Sequence, residues 1–189
     1  MPMVLQTGPW TVDMVRALPD DGNRYECVDG VLLVTPAARP PHELVLARLQ
    51  RAVDRYLEAN APTLHAFSGP SEITWGEERT YLQPDLYVAP EREFLGSWTR
   101  VRSLPLAVEV LSPSSVEHDR VTKRPVYQRH GVGTYWVVDM RARAVEVWRA
   151  GDETPEAVTS VLRWQVAPDA PVLEIRLSEV FADIPARVE

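Results

Sequence analysis

Residues 104–115 read LPLAVEVLSPSS, a nearly continuous apolar run that ends in a break of serine and proline. Such a run is typical of a central β-strand that is covered on both faces. Residues 133–139, which contain TYWVVD, predict a second buried strand. The stretch between the two runs has helical character and is long enough for a strand–helix–strand crossover, which we expect to be right-handed. This unit places the chain in the α/β class.

Further helices and strands are predicted on both sides of this unit. Apolar residues at three- and four-residue spacing predict an amphipathic helix over residues 41–59. Asp29-Gly30, between two short apolar runs, predicts a hairpin over residues 24–34. The remaining predicted elements are a short helix at 10–18, strands at 65–75, 83–88, 144–149 and 172–177, and a short helix at 178–182. Together they predict a central mixed β-sheet flanked by helices, with an N-terminal hairpin and C-terminal strands.

The 189 residues of the chain predict a single domain, 1–189, because domains average about 150 residues. Hydrophobic residues make up 45% and charged residues 25%, which excludes a largely disordered chain. The single Cys27 excludes an intrachain disulfide and a cysteine-rich zinc site. The sequence shows no signal peptide, and no apolar run approaches the ~20 residues of a membrane helix. We therefore expect a cytoplasmic protein that does not associate with membranes.

The net charge of −7 narrows the kinds of function that this chain can have. A protein that holds nucleic acid on an extended basic surface normally carries a positive charge, so the negative charge argues against a histone-like or repressor-like binder. An enzyme whose acidic site works on phosphates through a cation stays open, because the cation inverts the local charge.

Two acidic residues lie where apolar strands are predicted. Glu109 interrupts the run at 106–111, and a buried carboxylate is costly unless a partner or a metal compensates it. One interpretation is that the strand emerges there and Glu109 pairs with an arginine. The other involves Asp85, which precedes Leu86-Tyr87-Val88 on the neighbouring predicted strand. Carboxylates on adjacent strands repel each other unless a cation lies between them, and their oxygens suit Mg²⁺ or Mn²⁺.

Lys123 is the third candidate and lies on the helical stretch after Glu109, four residues beyond Asp119. One interpretation is a surface lysine that pairs with Asp119. The other is a positive charge beside the metal site, which orients the attacking water or stabilises charge at the phosphorus. In either case we expect Lys123 to lie partly exposed at the start of a helix.

These residues belong to a longer pattern that resembles a known family. The pattern comprises YECVDG at 25–30, His42, Pro84-Asp85, AVEVLSPSS at 107–115, Asp119-Arg120, Lys123, Tyr127, Gly131-Val132 and YWVVD at 135–139. It is similar to that of the Uma-type restriction endonucleases, which belong to the PD-(D/E)-x-K nuclease superfamily. Each piece is weak by itself, but the combined pattern is specific and covers most of the chain.

The resemblance implies a restriction-endonuclease-like core over residues 20–140 that hydrolyses phosphodiester bonds of nucleic acid, with DNA as the favoured substrate. It implies that Asp85 and Glu109 hold Mg²⁺ or Mn²⁺ and that Asp85, Glu109 and Lys123 are catalytic. Glu26 is an additional candidate acid, with an ordinary glutamate at a strand edge as the alternative. His42 is a further candidate, although capping or packing at the start of its helix is the favoured interpretation.

Three positions depart from the family pattern. The superfamily lysine follows two residues after the second acid, where this chain has Leu111, so the resemblance implies that Lys123 replaces it from the next helix. Thr134 stands where the family commonly has an acid, and no role is transferred to it. Pro125 inside a helix would kink it. The alternative is that Thr122 is the N-cap, which would place Pro125 in the first turn of a shorter helix and move Lys123 relative to the two carboxylates.

Two other functions stay open. A nuclease-fold module that cuts weakly or not at all, and serves in binding or assembly, would explain the displaced lysine and the acidic balance. A structural dimeric domain would fit the 6 tryptophans but leaves Glu109 unexplained. A homodimer is compatible with each of these functions.

Overall fold

The computed structural model describes residues 6–69 and 71–185, which form eleven strands and five α-helices. The strands are β1 (Gln6–Thr7), β2 (Asn23–Val28), β3 (Val31–Pro36), β4 (Leu64–Ser68), β5 (Leu86–Pro90), β6 (Leu106–Val110), β7 (Thr134–Asp139), β8 (Ala144–Arg149), β9 (Glu156–Val158), β10 (Val161–Trp164) and β11 (Leu173–Arg176). The α-helices are α1 (Val12–Arg16), α2 (Pro40–Asn60), α3 (Glu91–Phe94), α4 (Arg124–Arg129) and α5 (Leu177–Val180). A 3₁₀ turn covers Trp98–Arg100, and a π-helical segment covers His118–Lys123. No helix within these ranges is long and apolar enough to cross a membrane.

Six strands form the central sheet, in the order β4-β5-β6-β7-β8-β9. Within it β6 and β7 run parallel, and every other neighbouring pair is antiparallel. All residues of β6 are buried, as the apolar run at 104–111 predicts. The π-helical segment and α4 lie in the connection between the two parallel strands. The predicted α/β class with a central mixed sheet is confirmed.

The N-terminal hairpin is formed by β2 and β3, which together with β1 make a second sheet. Asp29 and Gly30 have φ angles of 49° and 86°, the left-handed conformation that a two-residue I′ turn requires. The backbones of Cys27 and Tyr81 form an isolated bridge that joins β2 to the segment before β5. This attachment brings one side of the hairpin towards the start of β5.

Helices cover both faces of β6. Successive side chains of a strand point to opposite faces, and Val108 packs in the same apolar cluster as Leu49 and Val53 of α2. Ala107 packs in a second cluster together with Tyr127 of α4. Glu109 shares the face of Ala107 by alternation, so its carboxylate points to the side of the sheet that α4 covers.

Several strand bounds differ from the predicted ones. The strand predicted at 65–75 ends at Ser68, because Gly69 turns the chain with a φ of 103°. The strand predicted at 83–88 is β5, which begins at Leu86, so Asp85 lies immediately before it. The sequence pattern does not predict β9 and β10, and β11 pairs with β10 in a separate two-stranded sheet.

Candidate active site

Asp85 immediately precedes β5, and Glu109 lies on the neighbouring strand β6 of the central sheet. β5 and β6 pair with Leu86 opposite Val108, and continuing this register by one residue places Asp85 opposite Glu109. Both side chains are buried, with relative exposures of 3% and 1%. The backbone N–H of Val110 donates to Asp85 Oδ2 over 2.7 Å. The structure therefore brings the two predicted acids together at one end of the sheet.

Asp85 is engaged by two basic side chains. Arg24 Nη1 lies 2.6 Å from Oδ1, and His42 Nε2 lies 3.1 Å from Oδ2. Burial by itself would raise the pKa of Asp85, but the charge of Arg24 and the hydrogen bond from His42 outweigh it and hold the pKa well below its usual range. Burial by itself would lower the pKa of His42. The hydrogen bond to Asp85 outweighs this effect, so the pKa of His42 is raised. Asp85 is therefore ionised, and both of its oxygens have partners.

Lys123 is the cation that meets Glu109. Its Nζ donates to Glu109 Oε1 over 3.0 Å and also lies 2.7 Å from Glu26 Oε2 and 3.2 Å from Asp119 Oδ1. The hydroxyl of Tyr127 donates to the same Glu109 Oε1 over 2.8 Å. The pairing with Asp119 expected of a surface lysine is present, but the expected exposure is wrong, since Lys123 is only 3% exposed. The alternative interpretation, in which Glu109 pairs with an arginine, is wrong in its partner, since the cation at Glu109 is Lys123.

Three buried carboxylates surround this one ammonium group. Burial raises the pKa of Glu109 well above its usual value, and the charge of Lys123 only partly offsets that effect. Burial raises the pKa of Asp119 in the same way. Burial would lower the pKa of Lys123, but the charges of Glu109, Glu26 and Asp119 raise it well above its ordinary value. The cluster thus keeps Lys123 protonated, and three carboxyl groups share this one ammonium group.

An uncommon helical geometry positions Lys123. Residues 116–129 form one continuous helix, and its segment His118–Lys123 is π-helical. In i→i+5 geometry, residues four and five positions apart lie near one face, and such segments recur at functional sites. His118, Asp119 and Lys123 are all buried on that face. The alternative with Thr122 as an N-cap is wrong, because Thr122 lies inside the π-helical segment and Pro125 lies at the start of α4, directly after the wider turn.

The two acids and Lys123 line one cavity of about 670 Å³. Its walls come from residues 35–39, which lead into α2, and from residues 112–119, which follow β6, while Asp85, Glu109 and Lys123 contribute charged groups. His118 also lines the cavity, and its Nδ1 is buried without a hydrogen-bond partner among the described residues. Burial and then the charge of Lys123 lower the pKa of His118, so its ring is neutral at pH 7. The cavity therefore offers a neutral imidazole beside a charged cluster.

The donor chemistry at Asp85 and Glu109 fits a hard divalent cation, because carboxylate oxygens are the ligands that Mg²⁺ and Mn²⁺ prefer. The conformation is not that of an assembled metal site: within residues 6–69 and 71–185, no group of three or more acidic, histidine or cysteine side chains is arranged to hold a metal. Arg24 and His42 contact the two carboxylate oxygens of Asp85. Both hydrogen bonds to Glu109 are accepted by Oε1. A cation held by Asp85 would therefore meet a carboxylate whose two oxygens already have partners, and it would compete with Arg24 and His42 for them.

The structure gathers all five candidate residues, Glu26, His42, Asp85, Glu109 and Lys123, in one network. His42 contacts Asp85 in addition to packing at the start of α2, and Glu26 contacts Lys123 and accepts from the N–H of Gln83 over 2.8 Å. Leu111, at the usual lysine position, packs in the apolar cluster with Tyr127.

Sequence reasoning did not single out Arg24 as a site residue. Its spacing of two residues from Glu26 on β2 was an available signal, because residues i and i+2 of a strand share a face.

Comparisons with known proteins agree with this architecture. The sequence matches the family described as "Uma2: Putative restriction endonuclease" over residues 12–179. Among solved structures, the fold is similar to a structure from Anabaena variabilis ATCC 29413 that is described as a putative nuclease belonging to DUF820. That match has a TM-score of 0.74 and 19% sequence identity, and it covers 92% of this chain and 98% of the other. No curated protein matches this sequence.

Proposed function

The chain belongs to the Uma2 family, described as putative restriction endonucleases, and from this premise we propose that it hydrolyses phosphodiester bonds of nucleic acid with the help of Mg²⁺ or Mn²⁺. DNA is the substrate that the family description favours. The reaction class is hydrolysis at phosphorus, and the reacting phosphate would enter the cavity that Asp85, Glu109 and Lys123 line.

One observation carries this proposal: two buried acids and a buried lysine converge in a single cavity although the local sequence motif is interrupted. Asp85 lies opposite Glu109 across β5 and β6, and Lys123 Nζ lies 3.0 Å from Glu109 Oε1. Leu111 occupies the usual place of the lysine. Lys123, from the helix after β6, contacts Glu109 instead. Burying this much charge costs free energy, and a catalytic role accounts for that cost better than a structural role.

Asp85 and Glu109 are the residues that would hold the divalent cation. When bound, the ion supplies a Lewis acid for a phosphoryl oxygen and lowers the pKa of bound water. His42 is a positioning residue, since it fixes one oxygen of Asp85, and Glu26 holds the ammonium group of Lys123.

The surroundings of Lys123 define its role. Because three carboxylates raise its pKa, Lys123 stays protonated and does not serve as a general base. Its positive charge instead stabilises the negative charge that develops on the phosphoryl oxygens, and it orients the attacking water. His118 offers a neutral ring nitrogen in the same cavity and is the residue best suited to accept a proton there.

A cleavage assay tests the proposed function. Purified protein should nick or cut plasmid DNA slowly in the presence of Mn²⁺ or Mg²⁺, and EDTA should abolish the activity. Asp85→Ala protein, purified in the same way, is the control for contaminating nucleases. If single- and double-stranded DNA and RNA are all cut no faster than by this control, the proposal is wrong and the chain is a binding or assembly module.

A further inference from the structure

The contact between Arg24 and Asp85 is the shortest ion pair at the cavity. Arg24 Nη1 lies 2.6 Å from Asp85 Oδ1 and also donates to the carbonyl oxygen of Gln83 over 3.2 Å. Asp85 is 3% exposed, whereas the side chain of Arg24 is 27% exposed and lines the cavity wall. The pair therefore joins a buried acid to a cation that borders the space where substrate would bind.

This contact and the remaining contacts of Asp85 leave no free oxygen on the carboxylate. Oδ1 is taken by Arg24, and Oδ2 accepts from Val110 N–H and pairs with His42. The bonds on Oδ2 hold the carboxylate to the sheet and to α2, which are packed elements. Oδ1 is bound only by a long side chain that reaches across from the hairpin. A divalent cation would gain access to Asp85 most readily through Oδ1, by displacing the guanidinium group.

We propose that Arg24 is an internal counter-ion that competes with the divalent cation for Asp85 and, once displaced, binds a phosphate group of the substrate from the cavity wall. This inference rests on the proposed function and adds a regulatory step to it. A guanidinium group is suited to the second role because its planar array of donors matches phosphate oxygens. Because one side chain serves both contacts, the binding of the cation and the binding of phosphate become linked, and each strengthens the other.

Arg39 provides a matched comparison within the same cavity. It lines the wall beside residues 35–38 and is exposed, and it forms no ion pair among the described residues. Replacing either arginine with glutamine removes one positive charge from the cavity, but only the change at Arg24 frees Asp85 Oδ1. The pair of variants thus separates competition for the carboxylate from a general change in electrostatic potential.

The first experiment measures Mn²⁺ binding by isothermal titration calorimetry on the wild type, Arg24→Gln and Arg39→Gln. Arg24→Gln should bind Mn²⁺ about tenfold more tightly than the wild type, within the range typical of coupled sites, and clearly more tightly than Arg39→Gln. Equal affinities of the wild type and Arg24→Gln, or equal gains in the two variants, would overturn the inference and leave the proposed function standing. If neither the wild type nor Arg24→Gln binds Mn²⁺, the metal dependence of the proposed function fails together with the inference.

The second experiment adds inorganic phosphate and needs no catalysis. Phosphate should tighten Mg²⁺ binding to the wild type and to Arg39→Gln, and this gain should be lost in Arg24→Gln. An equal gain in all three proteins means that phosphate does not bind through Arg24, and the phosphate role is then wrong.

A measurement on the wild type alone covers the case in which Arg24→Gln does not fold. The side-chain N–H resonances of Arg24, followed by NMR, should shift as Mg²⁺ saturates the protein, because the guanidinium group leaves Asp85. Saturable Mg²⁺ binding without a change in these resonances would overturn the inference.

Discussion

Asp85, one residue before β5, falls opposite Glu109 of β6 when the β5–β6 register is continued by one residue, and each carboxylate is paired with a different cation. Arg24 meets Asp85 from the hairpin, and Lys123 meets Glu109 from the helix after β6. The pKa values of the two acids are also shifted in opposite directions, because Arg24 lowers the pKa of Asp85 while burial raises that of Glu109. Titratable groups whose pKa values are pushed apart in one cavity are typical of active sites.

The first prediction concerns Glu109 and the divalent cation. Mn²⁺ should raise the melting temperature of the wild type, since a ligand that binds only the native state at 100 times its Kd contributes ~2.7 kcal/mol. Glu109→Gln should melt at or above the metal-free wild type, because it removes one of three carboxylates around Lys123, and it should lose most of the Mn²⁺-induced shift. Thermal melts of both proteins with and without Mn²⁺ measure this. Strong destabilisation of the variant, together with a wild type that does not respond to Mn²⁺, would show a purely structural Glu109.

The second prediction concerns the pH dependence of the same variant. The folded protein raises the pKa of Glu109, so the folded state binds protons more tightly than the unfolded state, and stability falls as pH rises above the ordinary carboxyl pKa of about 4. The advantage of Glu109→Gln over the wild type should therefore be small near that pH and grow towards neutral pH. Urea unfolding at a series of pH values measures it.

Asp85→Asn is the control for this measurement, because its stability relative to the wild type should change with pH in the opposite direction. The pKa of Asp85 is lowered in the folded state, so its contribution to stability is present above the ordinary carboxyl pKa and is lost as pH falls through the folded value. Asp85→Asn should therefore be less stable than the wild type at neutral pH, by about 1–3 kcal/mol for unpaired partners. This difference should shrink in acid. The same pH trend for both variants would contradict the opposite pKa shifts of the two acids.

The third prediction concerns Lys123. Lys123→Ala should lower the cleavage rate by at least ~10²-fold, as expected when a charged group that stabilises the transition state is removed. Because the ammonium group is buried among three carboxylates, the variant should also lose about 3–5 kcal/mol of stability at neutral pH. Cleavage kinetics and urea unfolding on the same preparation measure both effects.

Arg124→Ala is the matched control for Lys123. Arg124 is the next residue along the helix, and its guanidinium group lies 4.6 Å from the centre of the Trp148 ring, outside the acidic cluster. We expect a loss of stability of no more than about 1 kcal/mol and unchanged cleavage. A folded Lys123 variant that cuts as fast as Arg124→Ala would remove Lys123 from the mechanism.

The fourth prediction distinguishes the two histidines at the cavity. The pKa of His42 should lie above the ordinary histidine value because it is bonded to Asp85. The pKa of His118 should lie below that value because of burial and the charge of Lys123. Titration of the imidazole resonances by NMR, assigned with His42→Gln and His118→Gln, measures both values. The reverse order would mean that His118 does not offer a neutral ring nitrogen at pH 7.

Features that depend on local pattern could be predicted from the order of the residues. The apolar run at 104–111 predicted the buried β6, the spacing over 41–59 predicted most of α2, and Asp29-Gly30 predicted the hairpin turn. These predictions succeed because strand alternation, helical periodicity and left-handed turn conformations are set by neighbouring residues. The same reasoning set Glu109 apart, since a charge within an apolar run is visible without any structure.

The pairing of the charged side chains could not be predicted in this way, because it depends on contacts between distant parts of the chain. Arg24 and Asp85 are 61 residues apart in the sequence, and their contact depends on how the hairpin attaches to the central sheet. Lys123 was expected to be partly exposed, but it is buried because the π-helical segment points it at acids from β2, β6 and its own helix. A lysine can be buried when several carboxylates offset its desolvation, and that sum depends on distances across the fold rather than on spacing along the chain.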